Sequence, residues 1–167
     1  MTLKRVSIAA MVVAGSVPAL PQTPSSVWTL TASISPAGPR ASLALNAVLR
    51  NQSAATLKVI DRTALADFRV AVTDESGALV PYTEHAKALI DAYEKGAAFR
   101  ADVVEVDPGK EFRKAIELSG LYGDLKPGKY SVKVERVGWL QVSQGGRPVW
   151  PKEKELVSPS VAFELRK

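Results

Sequence analysis

The chain has no cysteine, one histidine and few aromatic residues, and each scarcity closes off a class of function. Without thiols there is no disulfide framework, no thiolate metal cluster, and no residue at which a lipoprotein leader could be acylated. With His85 as the only imidazole, a histidine metal site cannot be assembled, and any Ser-His-Asp or Cys-His arrangement would have to use that residue. No Gly-x-Ser-x-Gly elbow accompanies it. His85 follows Thr83 and Glu84 at the start of a helix-patterned stretch, a solvated surface position. An excess of one charge is missing too. The 22 Lys and Arg are interspersed with 17 Asp and Glu, as in Lys152-Glu153-Lys154-Glu155, and no basic stripe with interleaved aromatics offers a surface for nucleic acid. Neither an internal repeat nor a low-complexity tract is visible.

What is present begins with a targeting pattern. Lys4 and Arg5 form a positive n-region, Val6 to Val13 an apolar stretch, and small residues follow to Ala19, with Val17 at the minus-three position of a cleavage site. The apolar stretch falls short of the about 20 residues that span a bilayer, so residues 1–19 read as a signal peptide and the mature protein as free of a membrane span. Export to the periplasm or the extracellular space is the expected localisation. Losing Lys4 and Arg5 leaves 20 basic residues against 17 acidic ones. Residues 20–26, with Pro21 and Pro24, read as a flexible linker, and residues 27–167 as a single domain long enough to bury a core without staples.

Within that domain, period-two alternation dominates. Trp28, Leu30, Ala32 and Ile34 alternate with polar residues, and Leu43, Leu45, Ala47 and Leu49 do the same after the turn at Ser35 to Pro39. Leu57 to Ile60, then Phe68, Val70 and Val72, supply two more strands. Asp74-Glu75-Ser76-Gly77 is a turn. Between Thr83 and Lys95 the period changes: Ala86, Leu89, Ile90 and Tyr93 fall on one helical face, with Gly96 as the stop. Val103 to Val106 and Phe112 to Leu118 flank Asp107-Pro108-Gly109-Lys110 as a predicted hairpin. Lys114, which breaks the apolar face of its second arm, reads as a lysine snorkelling at the sheet margin.

Lys126-Pro127-Gly128-Lys129 then reads as a β-turn, with proline pre-setting φ at the second position and glycine free to take positive φ at the third. Tyr130, Val132 and Val134 alternate with Ser131, Lys133 and Glu135 as a half-buried strand. A tyrosine at that launch point can lay its ring on the core while its hydroxyl binds the preceding loop. Val161, Phe163 and Leu165, after Ser158-Pro159-Ser160, form a last strand. About seven strands and one inserted helix predict an all-β antiparallel sandwich.

Leu125-Lys126-Pro127-Gly128-Lys129-Tyr130 resembles the segment before strand F of fibronectin type III and related bacterial immunoglobulin-like domains. Asp107-Pro108-Gly109-Lys110 with Phe112, Ile116, Leu118 and Leu121-Tyr122 is similar to secreted bacterial β-sandwich domains, many without assigned function, and loosely to the non-catalytic domain that precedes deuterolysin-type metalloproteases. The resemblance implies an immunoglobulin-like sandwich with a tyrosine corner at Pro127, Gly128 and Tyr130. It carries no catalytic residue across to this chain.

Candidate chemistry is sparse. Asp61, Asp67, Asp74 and Glu75 are loop or near-loop acids without a cation-binding spacing, and read as turn acids. Asp102, Glu105, Asp107 and Glu111 on the predicted hairpin could pair for glycoside hydrolysis only as any solvated acids could. No catalytic residue, cofactor or metal is assigned, and the chain reads as no enzyme. The suggestive stretch is Gly138 to Pro151, where Trp139, Arg147 and Trp150 lie in or beside one long loop. Trp and Arg are the residues that most often anchor interfaces. These three are the candidate partner-binding residues; the competing expectation buries Trp139 in the core and folds Trp150 over its own loop. The expected function is an exported, non-catalytic immunoglobulin-like binding or accessory module contacting an envelope or extracellular protein or a glycan. An inhibitor of extracellular or periplasmic proteases is the alternative: Gly145 to Trp150 resembles a loop of chagasin-like inhibitors, with Val149 interrupting an Arg-Pro-Trp triplet. A small hydrolase is a third class, least supported for want of a nucleophile with a base.

Overall fold

The computed structural model describes residues 27–37, 42–98, 100–144, 147–149 and 156–166, with only the backbone described at 36–37, 42, 142–144 and 147–149. The expected signal peptide and linker, residues 1–26, and Trp150 lie outside the described residues. Among these residues the chain is mostly β, with antiparallel pairing throughout.

Alternation builds the first sheet. β1 (Trp28–Ala37) pairs with β2 (Ser42–Asn51), and β2 pairs with β6 (Glu111–Glu117) in the order β1-β2-β6. Residues facing each other across β1 and β2 include Leu30 with Leu49 and Ile34 with Leu45, so the apolar halves of both strands fall on one face. A second sheet is centred on β7 (Gly128–Arg136), which pairs with β4 (Phe68–Asp74) on one side and with β10 (Leu156–Val157) and β11 (Val161–Leu165) on the other. Proline cannot donate to a ladder, and the last strand breaks at Pro159. There Ser158 stands in: its hydroxyl accepts the Val134 N–H at 3.0 Å while its own N–H reaches the Val134 carbonyl at 2.8 Å. Leu30, Leu45, Leu49, Phe112 and Ile116 of the first sheet and Phe68, Val70, Val72, Val132 and Val134 of the second belong to one buried cluster. Fully burying each such side chain contributes about 1.5–3 kcal/mol, so this shared layer is the main cohesive force.

Two smaller ladders lie beside these sheets: β3 (Leu57–Asp61) with β5 (Asp102–Val106), and β8 (Val142–Gln144) with β9 (Arg147–Val149). The pairing of β5 with β3 and of β6 with β2 corrects the predicted hairpin. Asn51 explains it, because its backbone N–H takes the Lys110 carbonyl at 3.0 Å, its carbonyl takes the Gly109 N–H at 2.8 Å, and its side-chain amide takes the Val106 carbonyl at 2.8 Å. The Asp107 to Lys110 turn is thereby held onto β2, and β6 leaves it along β2 rather than along β5.

Three short helices join the strands, where one was expected, and the strands number eleven rather than about seven among the described residues. The expected helix is α2 (Glu84–Glu94), capped by the Thr83 hydroxyl accepting from Ala86 N at 3.2 Å and burying Ala86 and Ile90. α1 (Ala64–Asp67) and α3 (Leu118–Tyr122) occupy stretches read as connection and strand end. Gly123 ends α3 at φ +68, a conformation open to glycine but costly for other residues. The expected β-turn at Lys126 to Lys129 does not form: the chain only bends at Pro127, and Gly128, without a positive φ, already opens β7, while the Tyr130 hydroxyl donates to the Lys126 carbonyl at 2.8 Å and its ring stacks on Phe163 at 5.4 Å. No helix among the described residues is long and apolar enough to cross a membrane.

Candidate functional site

The candidate site starts where β7 ends. Continuing the inward parity of Val132 and Val134 brings Arg136 into the core, where it is 2% exposed. The strand then bulges: the N–H groups of Val137 and Gly138 both donate to the Asp67 carbonyl, at 2.9 and 3.0 Å. Two consecutive donors on one acceptor re-aim a strand. Past the bulge the chain leaves the β4 side and pairs with β3 instead. Ile60 N–H donates to the Trp139 carbonyl at 3.2 Å, and Gln141 N–H to the Lys58 carbonyl at 2.9 Å. The Gln141 side chain accepts Lys58 N–H at 3.1 Å, and the Trp28 indole donates to the Gln141 carbonyl at 2.6 Å. Among the described residues Trp28, not Trp139, is thus the tryptophan of the core.

Trp139 is 65% exposed, which overturns the competing expectation that it plugs the core. Leu140 pairs with Val59, and Val59 with Val104, so those three make one cross-strand row. One position along, Trp139, Ile60 and Val103 form the neighbouring row, which alternation turns to the opposite face. Leu140, Val59 and Val104 pack on the core, whereas Val103 is 57% exposed and Ile60 half-buried. An apolar stripe of Trp139, Ile60 and Val103 therefore faces outward, bordered by the Lys58–Glu105 ion pair at 3.3 Å.

Beneath the bulge lies a charged cluster that composition gave no sign of. Asp67 is fully buried, its carboxylate accepting from Arg62 N at 2.6 Å and Arg62 Nε at 2.8 Å. Arg136 Nη2 donates to the Ile60 carbonyl at 2.5 Å, and its Nη1 stands 3.8 Å from Asp67 Oδ2. Its guanidinium lies over the Phe68 ring at 4.7 Å and 6.0 Å from the Phe112 ring centre. Burial pushes the Arg136 guanidinium down to about 10, with the Asp67 charge opposing and the Arg62 charge reinforcing that shift. Lys114 joins the same cluster, donating to Asp61 at 2.6 Å and to the Arg62 carbonyl at 2.8 Å. It is anchored inward rather than snorkelling outward. Gly138 is demanded by close approach: a Cβ there would come within 2.4 Å of Asp67 Oδ1 and 2.8 Å of Arg136 Nη2.

Of the acids singled out from the sequence, Asp61 and Asp67 belong to this cluster and the others are dispersed. Asp74 closes its own turn, accepting from Ser76 Oγ, Ser76 N and Ala78 N, and the Ser76 hydroxyl above all holds its carboxyl below the ordinary carboxylate range. Asp61 serves Lys114, and Asp67 is internal rather than a turn acid. Asp102 pairs with Arg100, Glu105 with Lys58, Asp107 with the Thr56 hydroxyl and Glu111 with Arg113. Among the described residues no three of His, Cys, Asp and Glu are grouped to hold a metal ion. His85 is exposed on α2. Arg147 lies in β9, its side chain outside the described residues, so of the three candidate partner-binding residues only Trp139 is placed in full. Asp67 was read as a turn acid, and the structural roles of Arg136 and Gly138 were missed; the one available signal was an arginine continuing the inward positions of Val132 and Val134. No protein-family model matches the chain, and no curated protein sequence matches it.

Proposed function

We propose that the chain is an exported, immunoglobulin-like β-sandwich domain acting as a non-catalytic binding module for a protein or glycan of the cell envelope or its surroundings. The sandwich part of the reading is supported by the two sheets, β1-β2-β6 and β4-β7-β10/β11, sharing one core, and by the Tyr130 to Lys126 hydrogen bond at the corner. The binding part rests on one observation: an indole 65% exposed at the end of an outward apolar stripe, on backbone fixed by ladder hydrogen bonds. Such a residue on a rigid support contributes contact area at little ordering cost.

The test is affinity capture from the envelope fraction with wild type and Trp139→Ala, followed by titration of the captured partner in purified form. Wild type should bind it saturably and Trp139→Ala about thirtyfold or more weakly. Equal affinity of the two proteins would remove the stripe as the binding surface. If the captured partner is a protease whose activity the chain blocks, the inhibitor reading replaces the accessory one. A mass lacking residues 1–19 in the exported protein checks the leader.

A further inference from the structure

The outer edge of β5 bears on the chemistry of the partner. In an antiparallel ladder each residue turns its N–H and C=O to the same side, and successive residues alternate sides. Lys58 and Ile60 use their main-chain groups toward Trp139 and Gln141, since Ile60 N–H binds the Trp139 carbonyl and the Lys58 carbonyl binds Gln141 N–H. Leu57, Val59 and Asp61 therefore turn toward β5, where their partners are Val106, Val104 and Asp102. The intervening Val103 and Glu105 must point both their N–H and C=O away from β3. Among the described residues nothing pairs with that side of β5. Val103 is 57% exposed and the Glu105 side chain 65% exposed, so solvent reaches it.

Three other edges are managed. At β1, Trp28 and Leu30 are 2% and 1% exposed, so that edge is covered. At β4, Leu79 pairs with Thr73 and the Tyr82 hydroxyl serves both N–H and C=O of Val70. On β6, Lys114 points inward, a recognised guard against strand addition. β5 has none of these.

We propose that β5 accepts an extended, basic segment of a partner polypeptide as an added strand. Charge favours such an occupant: Asp102, Glu105 and Asp107 line the edge and its end, against Lys58 and Arg100, and the Arg100–Asp102 contact is a loose 3.7 Å. Residue alternation sets the pattern, apolar opposite Val103 to extend the Trp139–Ile60–Val103 stripe and cationic opposite Glu105. An edge of five residues suits a short peptide strand and is too small for the area of about 1,000 Å² that a stable pair of identical domains needs. The inference rests on the binding-module reading, and the two fail separately: the Trp139→Ala capture reads a side chain, whereas the following test reads main-chain groups of β5.

The probe is a capped pentapeptide of alternating lysine and valine, titrated into the ¹⁵N-labelled chain, with an alternating glutamate–valine peptide as control. Saturable shifts centred on the Val103 and Glu105 amides, with slowed exchange there, are expected for the lysine peptide alone. Val103→Pro deletes an outward N–H without touching the β3 ladder and should weaken binding about tenfold. Glu105→Lys keeps the main chain and should reverse the preference between the two peptides. The proposal is overturned if no saturable shift occurs, if shifts centre on β6, if both variants bind like wild type, or if the same amides become protected with protein concentration alone, which would make a second copy the occupant.

Discussion

At the residue scale, the decisive feature is an ion pair placed where charge is expensive. Asp67 and Arg136 are almost wholly buried, and Asp67 holds four things at once: its carboxylate binds the Arg62 backbone and side chain, and its carbonyl binds the N–H groups of Val137 and Gly138. Arg136 closes the loop by bonding the Ile60 carbonyl, whose own N–H holds Trp139 three residues further along the chain. Removing Asp67 strands the Arg136 charge in the core, which typically costs about 3–5 kcal/mol, whereas removing Arg136 leaves Asp67 paired with Arg62 at 2.8 Å. Asp67→Leu should destabilise by about that amount in urea unfolding and Arg136→Met by less, with the double variant costing less than the sum of the two. Strict additivity would show that the two do not interact. This cluster was largely illegible in the sequence, because Asp67 beside a predicted loop looks like any turn acid until the bulge folds over it.

At the element scale, the strands were legible and their partners were not. Alternation in β1, β2, β4, β7 and β11 is a local property of the chain, as is the three-four spacing of α2. Pairing is not local: β5 and β6 meet at a four-residue turn yet join different sheets because Asn51 claims that turn. A second pairing matter lies at β4. The Tyr82 hydroxyl accepts the Val70 N–H at 3.1 Å and donates to the Val70 carbonyl, which also accepts the Tyr122 hydroxyl at 2.6 Å. Tyr82 therefore occupies the position of a neighbouring strand. Tyr82→Phe leaves the Val70 N–H without that acceptor while Tyr122 still serves the carbonyl. We expect a loss of about 1–3 kcal/mol and faster hydrogen exchange at the Val70 amide than at Val72. Unchanged exchange at Val70 would mean the hydroxyl does not guard the edge.

At the scale of the whole molecule, stability at alkaline pH reports on the core. Burial, reinforced by the neighbouring Tyr82, raises the Tyr122 phenol well above its ordinary value of 10.0. An acid whose folded pKa is raised stays protonated in the folded state while the unfolded state ionises, so its contribution is intact below about pH 10 and lost as pH rises beyond it. Arg136, pushed down to about 10, works in the opposite direction over the same range, so the wild-type curve alone is uninformative. The difference between wild type and Tyr122→Phe isolates the phenol: the advantage of wild type should shrink above about pH 10 by up to about 1.4 kcal/mol per unit. A pH-independent difference would place the phenol in water. By itself the sequence determined the strand-rich class, the span of α2 and the solvated place of His85, because period and polarity act between near neighbours. Only the tertiary structure decided that Trp28 is buried and Trp139 exposed, that Lys114 turns inward, and that nothing among the described residues pairs with the outer edge of β5. Each of those depends on which distant segment reaches a group first, and a single strand's pattern carries no record of that competition.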